Sequence, residues 1–180
     1  MKQKIKSLVV CASLCILYGC AKNIELQKQT FTFELGKDVY ANPALYVKDG
    51  EDLPTQNMKI TSLSRGVVKK ENRFMSQGKD YLVVGEYDFQ IENGSSKIPF
   101  KIKIKDTMPP TATETPTEYT TTIGSVINWD EVFHATDLSG VRYETSAAIT
   151  SGAGEKEVVV KIMDRYGNTL EMPIKVIVNA

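Results

Sequence analysis

Residues 86–105 alternate apolar and charged side chains almost without a break, and this is the feature that most narrows what the chain can become. Tyr87, Phe89 and Ile91 alternate with Glu86, Asp88, Gln90 and Glu92; Ile98, Phe100, Ile102 and Ile104 alternate with Lys97, Lys101, Lys103 and Lys105. A period of two puts every apolar group on one face of a strand, which suits a half-buried antiparallel pair and not a helix. Asn93-Gly94 between the runs is the residue pair that a tight hairpin demands, because both central positions of a type I′ turn need positive φ. Asn93-Gly94-Ser95 also fits a glycosylation sequon, but the turn explains it. A two-residue loop there predicts Glu86 opposite Lys101.

The C-terminus repeats the arrangement. Val158, Val160 and Ile162 lead into Asp164-Arg165-Tyr166-Gly167-Asn168, and Leu170, Met172, Ile174, Val176 and Val178 return. Gly85-Glu86 corresponds to Gly154-Glu155, and Pro99-Phe100-Lys101 to Pro173-Ile174-Lys175, so the same register sets Glu155 opposite Lys175. The front halves match at constant spacing: Gly36 with Gly124, Val39 with Ile127, Leu45 with Phe133, Asp49 with Asp137. The first copy carries the longer middle, with its extra residues within 51–79. A repeat this long, made of short strands, is a whole domain and not a solenoid unit. The expected fold class is all-β, with units at 24–105 and 111–180 joined by a Pro-Pro linker, 106–110, stiffened by Pro109 and Pro110. Thr111–Thr122 is rich in Thr, Glu and Pro, but its end from Tyr119 onward suits a first strand.

The three cysteines, Cys11, Cys15 and Cys20, all lie in the first twenty residues. Lys2, Lys4 and Lys6 precede an apolar stretch from Leu8 to Tyr18, too short for a transmembrane helix, which needs about 20 residues. Gly19-Cys20 closes it. The order predicts an export signal over 1–19, cleavage before Cys20, and a lipid-modified N-terminus over 20–23. Cutting there removes three of the 22 basic residues and none of the 22 acidic ones, leaving a net charge of −3. With only Cys20 left, no disulfide framework is available, and stability must come from packed apolar cores.

Two sets of residues resemble a known family. The Gly19-Cys20 ending resembles the bacterial lipobox, in which the cysteine is diacylated. Asp106-Thr-Met-Pro-Pro, Ile123-Gly124, Ala135-Thr136-Asp137-Leu138-Ser139-Gly140-Val141 and Asp164-Arg-Tyr-Gly-Asn resemble, in that order, the bacterial Ig-like repeats of surface proteins. The resemblance covers 106–180 directly and 24–105 through the internal repeat. It implies tandem immunoglobulin-like β-sandwiches without catalytic residues, lipid-anchored at a bacterial cell membrane or outer membrane and facing outside the cytoplasm.

Chemistry is sparse. His134, Asp137 and Ser139 fall within six residues on one strand and turn, a poor geometry for a Ser-His-Asp site. Asp49, Asp106, Asp137 and Asp164 sit at turns or at the junction, where calcium is the natural challenger. With no EF-hand loop and no D-x-D cluster, they read as turn-capping residues. One histidine and no free cysteine beyond Cys20 leave too few ligands for zinc. No phosphate loop or dinucleotide fingerprint appears. No cofactor and no metal are therefore expected, and the near-neutral charge argues against nucleic acid. Trp129, the only tryptophan, reads either as core packing or as a ligand contact, with Tyr40, Tyr46, Tyr119 and Tyr143 as companions. The expected role is non-enzymatic: protein binding, adhesion or spacing, with an envelope or surface protein as partner. The alternatives are a carbohydrate-binding surface lipoprotein and an accessory subunit of a secretion or conjugation apparatus.

Overall fold

Two antiparallel hairpins, one at the end of each half, organise the chain. The computed structural model describes residues 24–146 and 148–180. The export signal, Cys20 and the rest of the 20–23 segment lie outside the described residues. The first half contains β1 (Thr30–Glu34), β2 (Val39–Tyr40), β3 (Met58–Ser62), β4 (Val67–Lys70), β5 (Arg73–Ser76), β6 (Gly85–Asn93) and β7 (Ser96–Lys105). They form a four-stranded sheet in the order β1-β7-β6-β3 and a three-stranded one in the order β2-β5-β4. The second half contains β8 (Thr111–Ala112), β9 (Glu118–Thr122), a five-residue helix α1 (Trp129–Phe133), β10 (Ala135–Thr136), β11 (Arg142–Glu144), β12 (Gly154–Met163) and β13 (Thr169–Asn179). Its sheets run β11-β12-β13-β9 and β10-β8.

In each half the first long strand pairs in parallel with the last: β1 with β7 and β9 with β13. The first half divides its strands as an immunoglobulin sandwich does, with β3, β6 and β7 in one sheet, joined at its edge by β1, and β2, β4 and β5 in the other. Both halves are Ig-like β-sandwiches. Among the described residues, the second has no counterpart of β4 and β5, which fall within the longer middle segment of the first.

Each half has its own core. Phe31, Tyr46, Phe74, Phe89 and Phe100 form a chain of aromatic contacts in the first, with centroids 4.9–5.8 Å apart. In the second the sheet side is aliphatic, with Val158 opposite Ile174, Val160 opposite Met172 and Ile162 opposite Leu170 on the inner face. Each fully buried side chain of this kind contributes about 1.5–3 kcal/mol. Where the second half has no β4–β5 hairpin, α1 turns Trp129, Val132 and Phe133 onto the valine sheet instead.

Three expectations need correction. The hairpin loop is Gly94-Ser95, not Asn93-Gly94, because Asn93 pairs with Ser96. Gly94 has φ +59° and Ser95 is not in the positive-φ region, the pattern of a type II′ turn, which needs glycine only at its first central position. Asn93 is therefore free to join the strand. Glu86 faces Lys103 and Asp88 faces Lys101, while in the second copy Glu157 and not Glu155 faces Lys175. A shift of two keeps every side chain on its original face, so both ion pairs form diagonally: Lys101 reaches Glu86 at 2.5 Å and Asp88 at 3.3 Å, and Lys175 lies 3.9 Å from Glu155 and also pairs with Glu118. Second, Leu45 does not match Phe133: it is 49% exposed at the end of the short 3-10 turn Pro43–Leu45, and Tyr46 fills the core. Third, Phe133 and His134 are not strand: α1 ends at Phe133, His134 caps it in the left-handed region, and β10 begins only at Ala135. Asn128 caps that helix through its side-chain oxygen, which accepts from the Asp130 amide at 3.3 Å.

Candidate functional site

The most chemically loaded place lies where the two sandwiches meet, and turn chemistry assembles it. Asp164 opens the β12–β13 turn and folds its Oδ1 back to accept from the Tyr166 and Asn168 amides at 2.7 and 2.9 Å. Asp137 opens the β10–β11 turn, and its Oδ1 accepts from the amide and the hydroxyl of Ser139 at 2.7 and 2.8 Å. These are the aspartate turns that the sequence implies, since a short carboxylate can replace a backbone acceptor two residues on. Asp106 comes from neither sandwich but from the connection after β7. Asn168 Nδ2 ties it in by donating to the Asp106 carbonyl at 3.1 Å and to Asp164 Oδ2 at 2.5 Å.

Turn capping was the role expected of these aspartates, and Asp137 and Asp164 fill it. What the sequence did not reveal is that three of the four converge. One carboxylate oxygen from each of Asp106, Asp137 and Asp164 lies within 4.8 Å of the other two. Asp49 takes no part: it is exposed, in a left-handed turn with φ +51°, in the loop that leads from β2 to β3. Asp164 is 1% exposed. Asp106 Oδ2 is enclosed and accepts no hydrogen bond. Burial pushes the Asp106 carboxyl above the usual carboxylate range; the neighbouring Ser139 hydroxyl works against this, and the charges of Asp137, Asp164 and Glu34 add to it. Among the described residues, none of the three aspartates is in an ion pair with lysine or arginine.

Around this cluster the halves are in contact. Glu34, at the end of β1, accepts from the Thr107 amide and hydroxyl at 2.6 and 2.8 Å. Leu138 packs over Gly36, whose φ is +80°; a Cβ there would stand 2.5 Å from Leu138 Cδ1. Tyr81 donates its hydroxyl to the Leu138 carbonyl at 3.4 Å. Pro110 is buried and Pro109 exposed. The 106–110 segment is thus a fastened seam and not a bare spacer.

The other candidates fall elsewhere. Trp129 is 9% exposed and packed in the second core, stacked on Phe133 at 5.9 Å and tilted against Tyr119 at 6.3 Å. Its surroundings suit the packing alternative. The tyrosines do not form one surface with it: Tyr46 is buried with its hydroxyl on the Tyr40 carbonyl, and Tyr40 is 43% exposed. Burial and Asp130 raise the Tyr143 hydroxyl's pKa from its ordinary value. His134 is exposed at the left-handed end of α1, whereas the Ser139 hydroxyl is turned toward Asp137. No helix among the described residues is long and apolar enough to cross a membrane.

No family model and no curated relative matches the chain. Solved structures do. Human mucin-like protocadherin EC1-2 is 12% identical over 88% of this chain and 99% of that one, with a TM-score of 0.33. An endo-fucoidan hydrolase from glycoside hydrolase family 107 is 15% identical over 87% of this chain (TM-score 0.29), and the human desmocollin-1 ectodomain is 11% identical over 87% (TM-score 0.29). This chain spans 29% of the hydrolase's length and 40% of the desmocollin's. The fold assignment rests on the strand order and register above, and a shared sandwich does not carry a function.

Proposed function

We propose that this is a non-enzymatic, lipid-anchored protein of the bacterial envelope that acts by presenting surface at a set distance and orientation from its membrane. The observation that carries the reading is the fastened seam: Glu34 on Thr107, Asn168 on Asp106, and Leu138 over Gly36 hold one sandwich against the next. A freely swivelling pair would need none of these contacts. Two such sandwiches end to end reach roughly 70–80 Å, taking strands of about 6–10 residues at about 3.4 Å each with turns and linker added. The anchor is Cys20, and two or more acyl chains hold a protein stably where one does not. An envelope or surface protein is the partner that suits this geometry.

The test has two arms. Mass spectrometry of the mature protein should find a diacylglyceryl adduct on Cys20, and Cys20→Ala should release or stall the protein. Replacing Pro109 and Pro110 by Gly should impair the protein's cellular role, while replacing His134 by Ala should leave that role intact. An unlipidated chain starting elsewhere would refute the anchor; indifference to the glycines would refute the spacing.

A further inference from the structure

From the convergence at the seam we infer a binding site for a hard divalent cation, calcium in kind, held by Asp106, Asp137 and Asp164. The inference does not depend on the lipid anchor. Two observations carry it. Three carboxylates approach within 4.8 Å of one another with no basic side chain paired to any of them among the described residues. Separately, Asp106 Oδ2 is enclosed and has no hydrogen-bond donor, an arrangement that proteins otherwise avoid because the desolvated oxygen recovers nothing. A carboxylate oxygen with no donor, beside two more carboxylates, lacks a positive charge.

The chemistry of the donor set identifies the ligand. Asp137 Oδ1 accepts from Ser139 and Asp164 Oδ1 from two turn amides, so both turns hold their aspartates in place; Asp164 Oδ2 accepts a hydrogen bond from Asn168 Nδ2, and among the described residues no hydrogen bond uses Asp137 Oδ2. Asp106 contributes the oxygen with no other partner. Carboxylate ligands on turns, all oxygen and no nitrogen or sulfur, select calcium or magnesium over zinc. Calcium takes 6–8 oxygens in a loose geometry and magnesium demands a strict octahedron, so a site assembled from two turns and a connecting segment favours the larger ion. A groove of about 370 Å³ beside Glu34, Asp106, Pro109 and Asp137 leaves room for waters to complete the shell. Because Asp106 belongs to the connection and the other two to the second sandwich, an ion there would fix the connecting segment where it enters the second sandwich.

Isothermal titration of CaCl₂ into the full chain, stripped with chelator and held at neutral pH, tests this directly. Saturable binding is expected with Kd on the order of 10⁻⁴–10⁻³ M, the range of extracellular calcium modules, together with a rise in the thermal midpoint that chelator reverses. Magnesium should bind at least tenfold more weakly. Asp106→Asn removes charge without a turn contact and should weaken calcium at least tenfold, whereas Glu86→Gln, on a distant sheet face, should change nothing. Absence of saturable heat up to about ten times that range overturns the site. So does binding that Asp106→Asn leaves unaltered, which would place the ion elsewhere. A third result against it is a higher thermal midpoint for Asp106→Asn than for the calcium-saturated parent, which would mean that protons and not an ion relieve the cluster.

Discussion

Gly36 and Gly124 occupy equivalent turns, one after β1 and one after β9, and alanine at the two positions would meet different surroundings. Both glycines have positive φ, +80° and +75°. A Cβ on Gly124 would meet nothing within 4 Å, whereas one on Gly36 would stand 2.5 Å from Leu138 Cδ1 across the seam. The left-handed backbone costs each alanine about 1–2 kcal/mol. Gly36→Ala carries a further cost, since contact wants about 3.5–4.0 Å. Leu138 is 54% exposed, so its tip can swing aside for about 0.5–1.5 kcal/mol. Opening the seam is the other escape, so the surplus cannot exceed what the seam itself contributes. The expectation is about 1–2 kcal/mol for Gly124→Ala, about 1.5–3.5 kcal/mol for Gly36→Ala, and a coupling of about 0.5–1.5 kcal/mol between Gly36→Ala and Leu138→Ala. Urea unfolding of the full chain reads it, with amide resonances reporting the first half and Trp129 fluorescence the second. Equal costs at the two glycines, with a coupling below about 0.3 kcal/mol, would refute contact between the sandwiches at Leu138.

Trp129→Ala should destabilise the second half by about 3–5 kcal/mol, as for a large core aromatic, and leave the first half's urea midpoint unmoved; loss of ligand binding without loss of stability would instead restore the surface reading of this residue. Residues 107–180 expressed alone should give a cooperative, strand-rich fold with dispersed amide protons, because every member of the second core lies within them; a disordered spectrum would make that core dependent on the first.

The hairpins were legible because a period of two leaves little choice. Once Tyr87, Phe89 and Ile91 face inward, Glu86 and Asp88 must face out, and a register shift of two changes their partners but not their side. The turn was harder to place. Asn93-Gly94 and Gly94-Ser95 both offer a glycine where positive φ is needed, and only the path of the strands chooses between them. The helix α1 has a sequence signal, though a short one: Asn128 before Trp129, then apolar residues at 129, 132 and 133, the spacing of one helical face, within only five residues. The cluster of Asp106, Asp137 and Asp164 is of another kind. Each aspartate is visible as turn chemistry, yet the three are separated by 31 and 27 positions in the sequence, and only the closure of two turns onto the connecting segment brings them together.

Five consecutive residues of β1 lie in register with five of β7, and five of β9 with five of β13, each pair parallel. In either sandwich the chain therefore enters at one end of the paired ribbon and leaves at the other. A tensile load applied between the two ends of a sandwich pulls the two strands past each other along their own axes. The slanted, evenly spaced hydrogen bonds of such a ladder share that load and must fail together, whereas a hairpin pulled from its open end would lose them one at a time. A sandwich built this way resists stretching along its strands better than its core alone would indicate.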